Sequence, residues 1–190
     1  LRWRWAERLP AALLVIAVMV ALAPRLPLHG GRLQAPSFFT SSAVQRVPQD
    51  SVTLVAPFPG PVTSTAMTWQ AVAGMRFRMP GGYFVGPQAD GKPRYGAPPN
   101  RLGAALIRLN AGWKPRRLNP YQRLVYSYNL VQWRVRTVVV GPMRDQQDRD
   151  NTVRMLTELL GRPPVREGGV DVWWDVHPQR ILDEAARDLR

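Results

Sequence analysis

At 190 residues with 45% hydrophobic content, the chain has room for one ordinary domain plus an appendage, and enough apolar material for a real core. It has no cysteine, and His29 and His177 are its only imidazoles, so disulfides and thiolate metal sites are excluded and no cofactor is expected. The formal net charge of +13 is carried almost wholly by arginine, with lysine only at Lys92 and Lys114. A surface of this sign attracts phosphate-bearing lipids, anionic polymers or nucleic acid. Nucleic acid is set aside, because no recognition helix, zinc-finger spacing or aromatic-basic RNA signature is present.

Ala11 to Ala23 is an uninterrupted apolar run. As a helix it covers only about 20 Å of a hydrocarbon core of about 30 Å. Extended from Leu9 through Leu28 it reaches about 30 Å, with Arg25 snorkelling and Trp3 and Trp5 at the near interface. Three readings stand beside one another. A transmembrane helix with its flanks over residues 1–28 leads. A secretory signal peptide is the second, from the basic start at Arg2, Arg4 and Arg8 and the Ala21-Leu22-Ala23 site, although Pro24 argues against cleavage there. A buried helix of a soluble domain is the third. Arg2, Arg4 and Arg8 outweigh Arg25 and Arg32, which puts the bilayer-distal domain outside the cytoplasm by the positive-inside rule. The chain starts at Leu1 rather than Met, and upstream sequence is expected.

Residues 29–48 hold Pro36, Pro48 and a Gly30-Gly31 pair and read as an extended linker, with Phe38-Phe39 anchoring it to the domain or to lipid. An extracytoplasmic α/β domain is expected over 49–177. Ser51 to Phe58 reads as a strand, and Thr63 or Ser64 can cap a helix running to about Gly74. Tyr83 to Val85 suggests a short strand, while Gly86 to Pro99, with four prolines and three glycines, reads as a loop. Asn100 caps a helix bearing Leu102, Leu106 and Leu109 on one face, and Asn119-Pro120 opens another. The nearly continuous β-branched run Val135 to Val140 suits a central strand buried on both sides. Asn151 to Leu160 reads as an amphipathic helix closed by Gly161, and Gly169 to Val176 as a half-buried final strand. Residues 178–190 form a terminal helix. Alternating strands and helices imply an α/β fold with a small, mainly parallel sheet flanked by helices.

No P-loop, complete G-x-G-x-x-G, H-E-x-x-H or G-x-S-x-G occurs. His177 with Asp171 and Asp175 could be drawn as a general base, and Asp145, Asp148 and Asp150 as ligands of a hard cation. Surface residues at a strand end, and a solvated turn interleaved by Arg144 and Arg149, account for both. The best binding candidate is the turn after the first strand, where Thr63, Ser64 and Thr65 surround a helix N-terminus whose free N–H groups attract anions. Trp69, Gln70 and Tyr83 would add a sugar-stacking surface, and capping and core packing explain the same residues.

Pro36-Ser37-Phe38-Phe39-Thr40-Ser41, Val47-Pro48, Trp69-Gln70-Ala71 with Ala73-Gly74-Met75, Pro80-Gly81-Gly82-Tyr83-Phe84 and Leu160-Gly161-Arg162-Pro163-Pro164 together carry a resemblance. Over about residues 11 to 176 the chain resembles the C-terminal extracytoplasmic region of actinobacterial polytopic membrane proteins, which are similar to GT-C glycosyltransferases. The resemblance implies a membrane anchor and accessory domain in the cell envelope, with the lipid bilayer and a polyprenyl-phosphate sugar or envelope glycan as partners. Family catalysis is expected from an acidic residue in an early loop between membrane helices; nothing in this chain matches that loop, so no catalytic residue is carried over. The alternative is a secreted or singly anchored binding module for anionic envelope polymers.

Overall fold

The computed structural model describes residues 8–22, 34–60, 63–88, 90–96, 98 and 100–189. The chain divides into two compact units, Leu1–Leu33 and Gln34–Arg190. In the first, α1 spans Arg8–Leu22 and is apolar all round, with Leu14, Ile16, Met19 and Val20 exposed. Its 15 residues rise about 22 Å. Among the described residues no helix is long and apolar enough to cross a membrane, and α1 covers only part of the expected span over residues 1–28. Residues 23–28, which the full span required, lie outside the described residues.

The second unit begins earlier than expected. Ser37–Thr40 forms one turn of helix, α2, and Ser42–Arg46 a 3-10 helix whose first turn is capped by the Ser41 hydroxyl accepting from Ala43 N at 3.3 Å. Phe38 and Phe39 are buried, so 34–48 is a packed part of the domain and not an extended linker. Proline content argued for extension, but two adjacent phenylalanines with a sheet face to cover prevail. Then follow β1 (Val52–Ala56), α3 (Thr65–Val72), β2 (Val85–Pro87), β3 (Pro93–Tyr95), α4 (Arg101–Asn110), α5 (Pro120–Trp133), β4 (Val135–Val140), α6 (Gln146–Leu160), β5 (Val165–Glu167), β6 (Val170–Trp173) and α7 (Pro178–Arg187).

The fold is α/β, and its main sheet is mixed, in the order β1-β4-β6-β5. Only β1 and β4 run parallel; β4–β6 and β5–β6 are antiparallel, which corrects the mainly parallel sheet. The cause is the hairpin between β5 and β6, where Gly168 and Gly169 take φ of +57° and +83° in a two-residue turn. Period-two alternation sends Leu54, Ala56, Val138, Val140 and Trp173 to one face, under α4, α5, α6 and α7. Val55, Val139, Val170 and Val172 go to the other, under Phe38, Phe39, Trp69 and Phe77. β6 is therefore buried on both faces, not half-buried.

The segment Gly86 to Pro99, expected as loop, holds the β2–β3 hairpin, in which Val85 pairs Tyr95 and Pro87 pairs Pro93. Prolines are tolerated there because the ribbon is two-stranded and every strand is an edge. Of the expected strand Tyr83 to Val85, only Val85 is in β2. α6 begins at Gln146, five residues before the expected start, because Asp145 caps it by accepting from Gln147 N at 2.7 Å. α7 packs as part of the domain through buried Ile181 and Ala185.

Candidate binding surface along helix α4

The elements at the carboxyl end of β1 hold α4 firmly. Asn100 Oδ1 accepts from Gly103 N at 2.8 Å and caps the helix, and Asn129 Oδ1 accepts from Leu102 N at 3.1 Å. At the other end, Asn110 clamps the backbone of Phe58, with Nδ2 donating to the carbonyl at 2.8 Å and Oδ1 accepting from the amide at 3.2 Å. Leu102, Leu106 and Leu109 bury the inner face, leaving Arg101, Ala104, Ile107 and Arg108 as an exposed ridge.

A concavity lies on each side of this ridge. The first is an apolar slot of about 160 Å³ lined by Phe58, Gly82, Tyr95, Gly96, Ile107 and Trp133. Phe58 stacks on Trp133 with ring centroids 5.8 Å apart, which gives the slot a rigid floor. Glycines keep the surroundings close: a Cβ on Gly81, next to the lining Gly82, would stand 2.6 Å from the Phe58 ring, and one on the lining Gly96 would meet Gly82 O at 3.3 Å. Beside the slot, Tyr83, Phe84 and Tyr95 are 52%, 50% and 66% exposed, an apolar strip on the hairpin. Lys92 and Arg94 lie on the same hairpin.

The second is a pocket of about 280 Å³ between α4 and α5, lined by Arg101, Arg108, Tyr121, Gln122 and Tyr126, with Ala104 on the border of both concavities. Arg108 lies over the Trp113 ring at 4.3 Å and Arg101 over Tyr121 at 5.9 Å. The Tyr126 phenol is held above its ordinary pKa by burial, with the nearby Arg108 and Arg101 charges opposing the shift. It stays protonated at neutral pH and is available as a donor.

The residues expected to bind are not assembled into one site. Thr63 is half-buried in a turn with Gly60, and Ser64 and Thr65 are exposed at the start of α3, where Ser64 makes no side-chain cap. Trp69 is 1% exposed, stacks on Phe39 at 5.2 Å and donates from Nε1 to Gln34 O at 3.1 Å, so it presents no stacking face. Gln70 Nε2 donates to Phe77 O at 2.6 Å. Tyr83 is exposed, with its backbone N–H directed at Met67 Sδ, and belongs to the aromatic strip instead.

His177 and Asp175 share a 360 Å³ cavity with Arg162, Arg180 and Glu184, whereas Asp171 is buried in β6 and paired with Arg149. Arg180 is already paired with Glu184 at 3.0 Å, and Arg162 donates to Trp174 O. Asp145 is spent on capping α6, and among the described residues no group of three His, Asp or Glu could hold a metal ion. Sequence reasoning passed over Arg101, Arg108 and Tyr126. A signal was available: residues 91 to 144 contain eleven basic side chains and no acidic one. No protein family, curated protein or solved structure matched the chain.

Proposed function

We propose that this chain is the C-terminal accessory domain and membrane anchor of a polytopic glycosyltransferase-like membrane protein that uses lipid-linked sugars in the cell envelope, with the α/β domain outside the cytoplasm. The observation that carries the reading is the exposed aromatic strip Tyr83, Phe84 and Tyr95 beside an apolar slot, with basic side chains on the same hairpin. Part of it is built by Pro80-Gly81-Gly82-Tyr83-Phe84, one of the segments that carries the family resemblance. Exposed rings with one wet edge suit an amphiphile or a bilayer interface, and the hairpin stays net basic although Lys92 pairs with Asp90 at 3.6 Å. The apolar run from Ala11, continued toward Leu28, is the anchor in this reading. The domain holds or positions; it does not carry out the transfer.

The test uses membranes from cells expressing the whole gene, with and without the codons for residues 34–190, supplied with a labelled polyprenyl-phosphate sugar. Transfer is expected with the intact gene and a drop of about tenfold or more without the domain, the size of effect that follows from losing substrate positioning. Transfer that is indifferent to the deletion, or a gene with no membrane spans upstream, overturns the reading. The acid-free basic stretch 91 to 144 favours the second reading, a secreted or singly anchored module for anionic envelope polymers. A mature protein starting at residue 24 would decide for it.

A further inference from the structure

The geometry points to a phosphate-binding site between α4 and α5, in which Arg101, Arg108 and Tyr126 hold the group. This goes beyond the proposed function and does not depend on it, since it rests on one pocket of the folded unit.

Three observations converge. Neither guanidinium makes a hydrogen bond or ion pair among the described residues, although Arg46, Arg123, Arg149, Arg166 and Arg180 all have carboxylate partners. Both are instead laid on aromatic rings, which fixes their planes and leaves their N–H donors free. Tyr126 is 7% exposed, lines the pocket, and has no protein partner for its hydroxyl among the described residues. The hydroxyl can therefore donate to an oxygen that enters the pocket. Arg101, Arg108 and Tyr126 all line this one pocket.

Phosphate fits this donor set better than a carboxylate does. Its peripheral oxygens can accept from both guanidiniums and the phenol at once, and up to two negative charges match two cations. A carboxylate has two oxygens, which a single guanidinium satisfies. Gln122 adds a further donor: its Oε1 accepts from Asn119 N at 3.1 Å in the helix cap, leaving the amide N–H groups free among the described residues. The phosphate can arrive free or at the end of an apolar chain. Ala104 lines both this pocket and the apolar slot, so an apolar chain attached to the phosphate has the slot beside it.

Calorimetric titration of the full chain, reconstituted in neutral-lipid nanodiscs, tests the site with inorganic phosphate and with n-hexyl phosphate. Inorganic phosphate is expected to bind with a Kd of about 1 mM or tighter. Arg101→Gln and Arg108→Gln should each weaken it about tenfold, and Tyr126→Phe about threefold, as expected for charge-assisted and neutral donors. Arg144→Gln, an exposed arginine in the same basic stretch, should change nothing. Tighter binding of hexyl phosphate, with the surplus lost in Ala104→Phe, would identify a lipid-borne phosphate; equal binding of both probes would identify a soluble one. Absence of phosphate binding, or an Arg144→Gln loss equal to that of the pocket variants, overturns the site. Tyr126→Phe removes one oxygen and keeps the core packing, so its result stands even if an arginine variant is poorly folded.

Discussion

Gly168 is where a single atom decides most. Its φ of +57° is left-handed, and a Cβ there would lie 2.5 Å from Phe38 N and 2.7 Å from Phe38 Cα, both backbone atoms that cannot swing aside. Its carbonyl also accepts from Phe38 N at 3.0 Å, which ties α2 to the β5–β6 turn. Gly168→Ala is therefore expected to cost about 2 kcal/mol or more, lowering the Tm by roughly 4–8 °C, readable by thermal circular dichroism. Gly169→Ala, with 3.7 Å of clearance to Pro36, should cost less. Tyr126 makes a prediction about pH. Burial raises its pKa in the folded state above the ordinary 10.0, so the folded chain keeps a proton that the unfolded chain gives up. The stability this contributes is fully present below pH 10.0 and is lost as pH rises from there through the folded value. Tyr126→Phe should flatten that alkaline loss in melts taken above pH 10.0; an unchanged alkaline limb would contradict it.

Helices with caps could be read from the sequence, because a cap is a local chemical event. Asn119 and Gln122 form a reciprocal box, with Asn119 Oδ1 accepting from Gln122 N at 2.8 Å, and Pro120 sits at the first helical position. Asn119→Ala removes the Oδ1 acceptor for Gln122 N, while the backbone N–H of residue 119 can still donate to Gln122 Oε1, and should cost about 1 kcal/mol, seen as a fall in chemical-denaturation midpoint with unchanged slope. The central strand β4 was equally plain, since Val135 to Val140 can be satisfied only by burial on both faces. The direction of β6 could not be inferred from its own residues. It follows from β5, three residues long with two exposed, which has no apolar pattern to announce it. The Gly168-Gly169 pair was the available signal for the hairpin. Trp69 illustrates the limit on the site. Its helix position was evident, but its burial depends on Gly141, where a Cβ would stand 2.3 Å from the indole ring. The pocket between α4 and α5 was hidden for a related reason: Arg101 and Tyr126 are 25 residues apart and meet only through helix packing.

At the scale of the whole chain, two forces that respond differently to salt act on any encounter with a membrane. The +13 net charge supplies an electrostatic attraction to anionic headgroups, worth about 1 kcal/mol per basic residue that reaches the surface. That attraction is screened: the Debye length falls from about 10 Å at 0.1 M salt to about 3 Å at 1 M. Apolar burial of α1 and of the aromatic strip, by contrast, is not weakened by added salt. The proposed membrane role thus predicts a two-part result when the chain is sedimented with vesicles. Binding to vesicles rich in phosphatidylglycerol should weaken about tenfold or more between 0.1 and 1 M sodium chloride, then level off. Binding to phosphatidylcholine vesicles should be weaker at low salt, nearly independent of salt, and equal to that plateau. Binding that falls to zero at high salt would assign the interaction to charge alone and favour the module for anionic polymers. No loss with salt on anionic vesicles would mean that the basic surface does not face the lipid, so that the acid-free stretch 91 to 144 must serve some other partner.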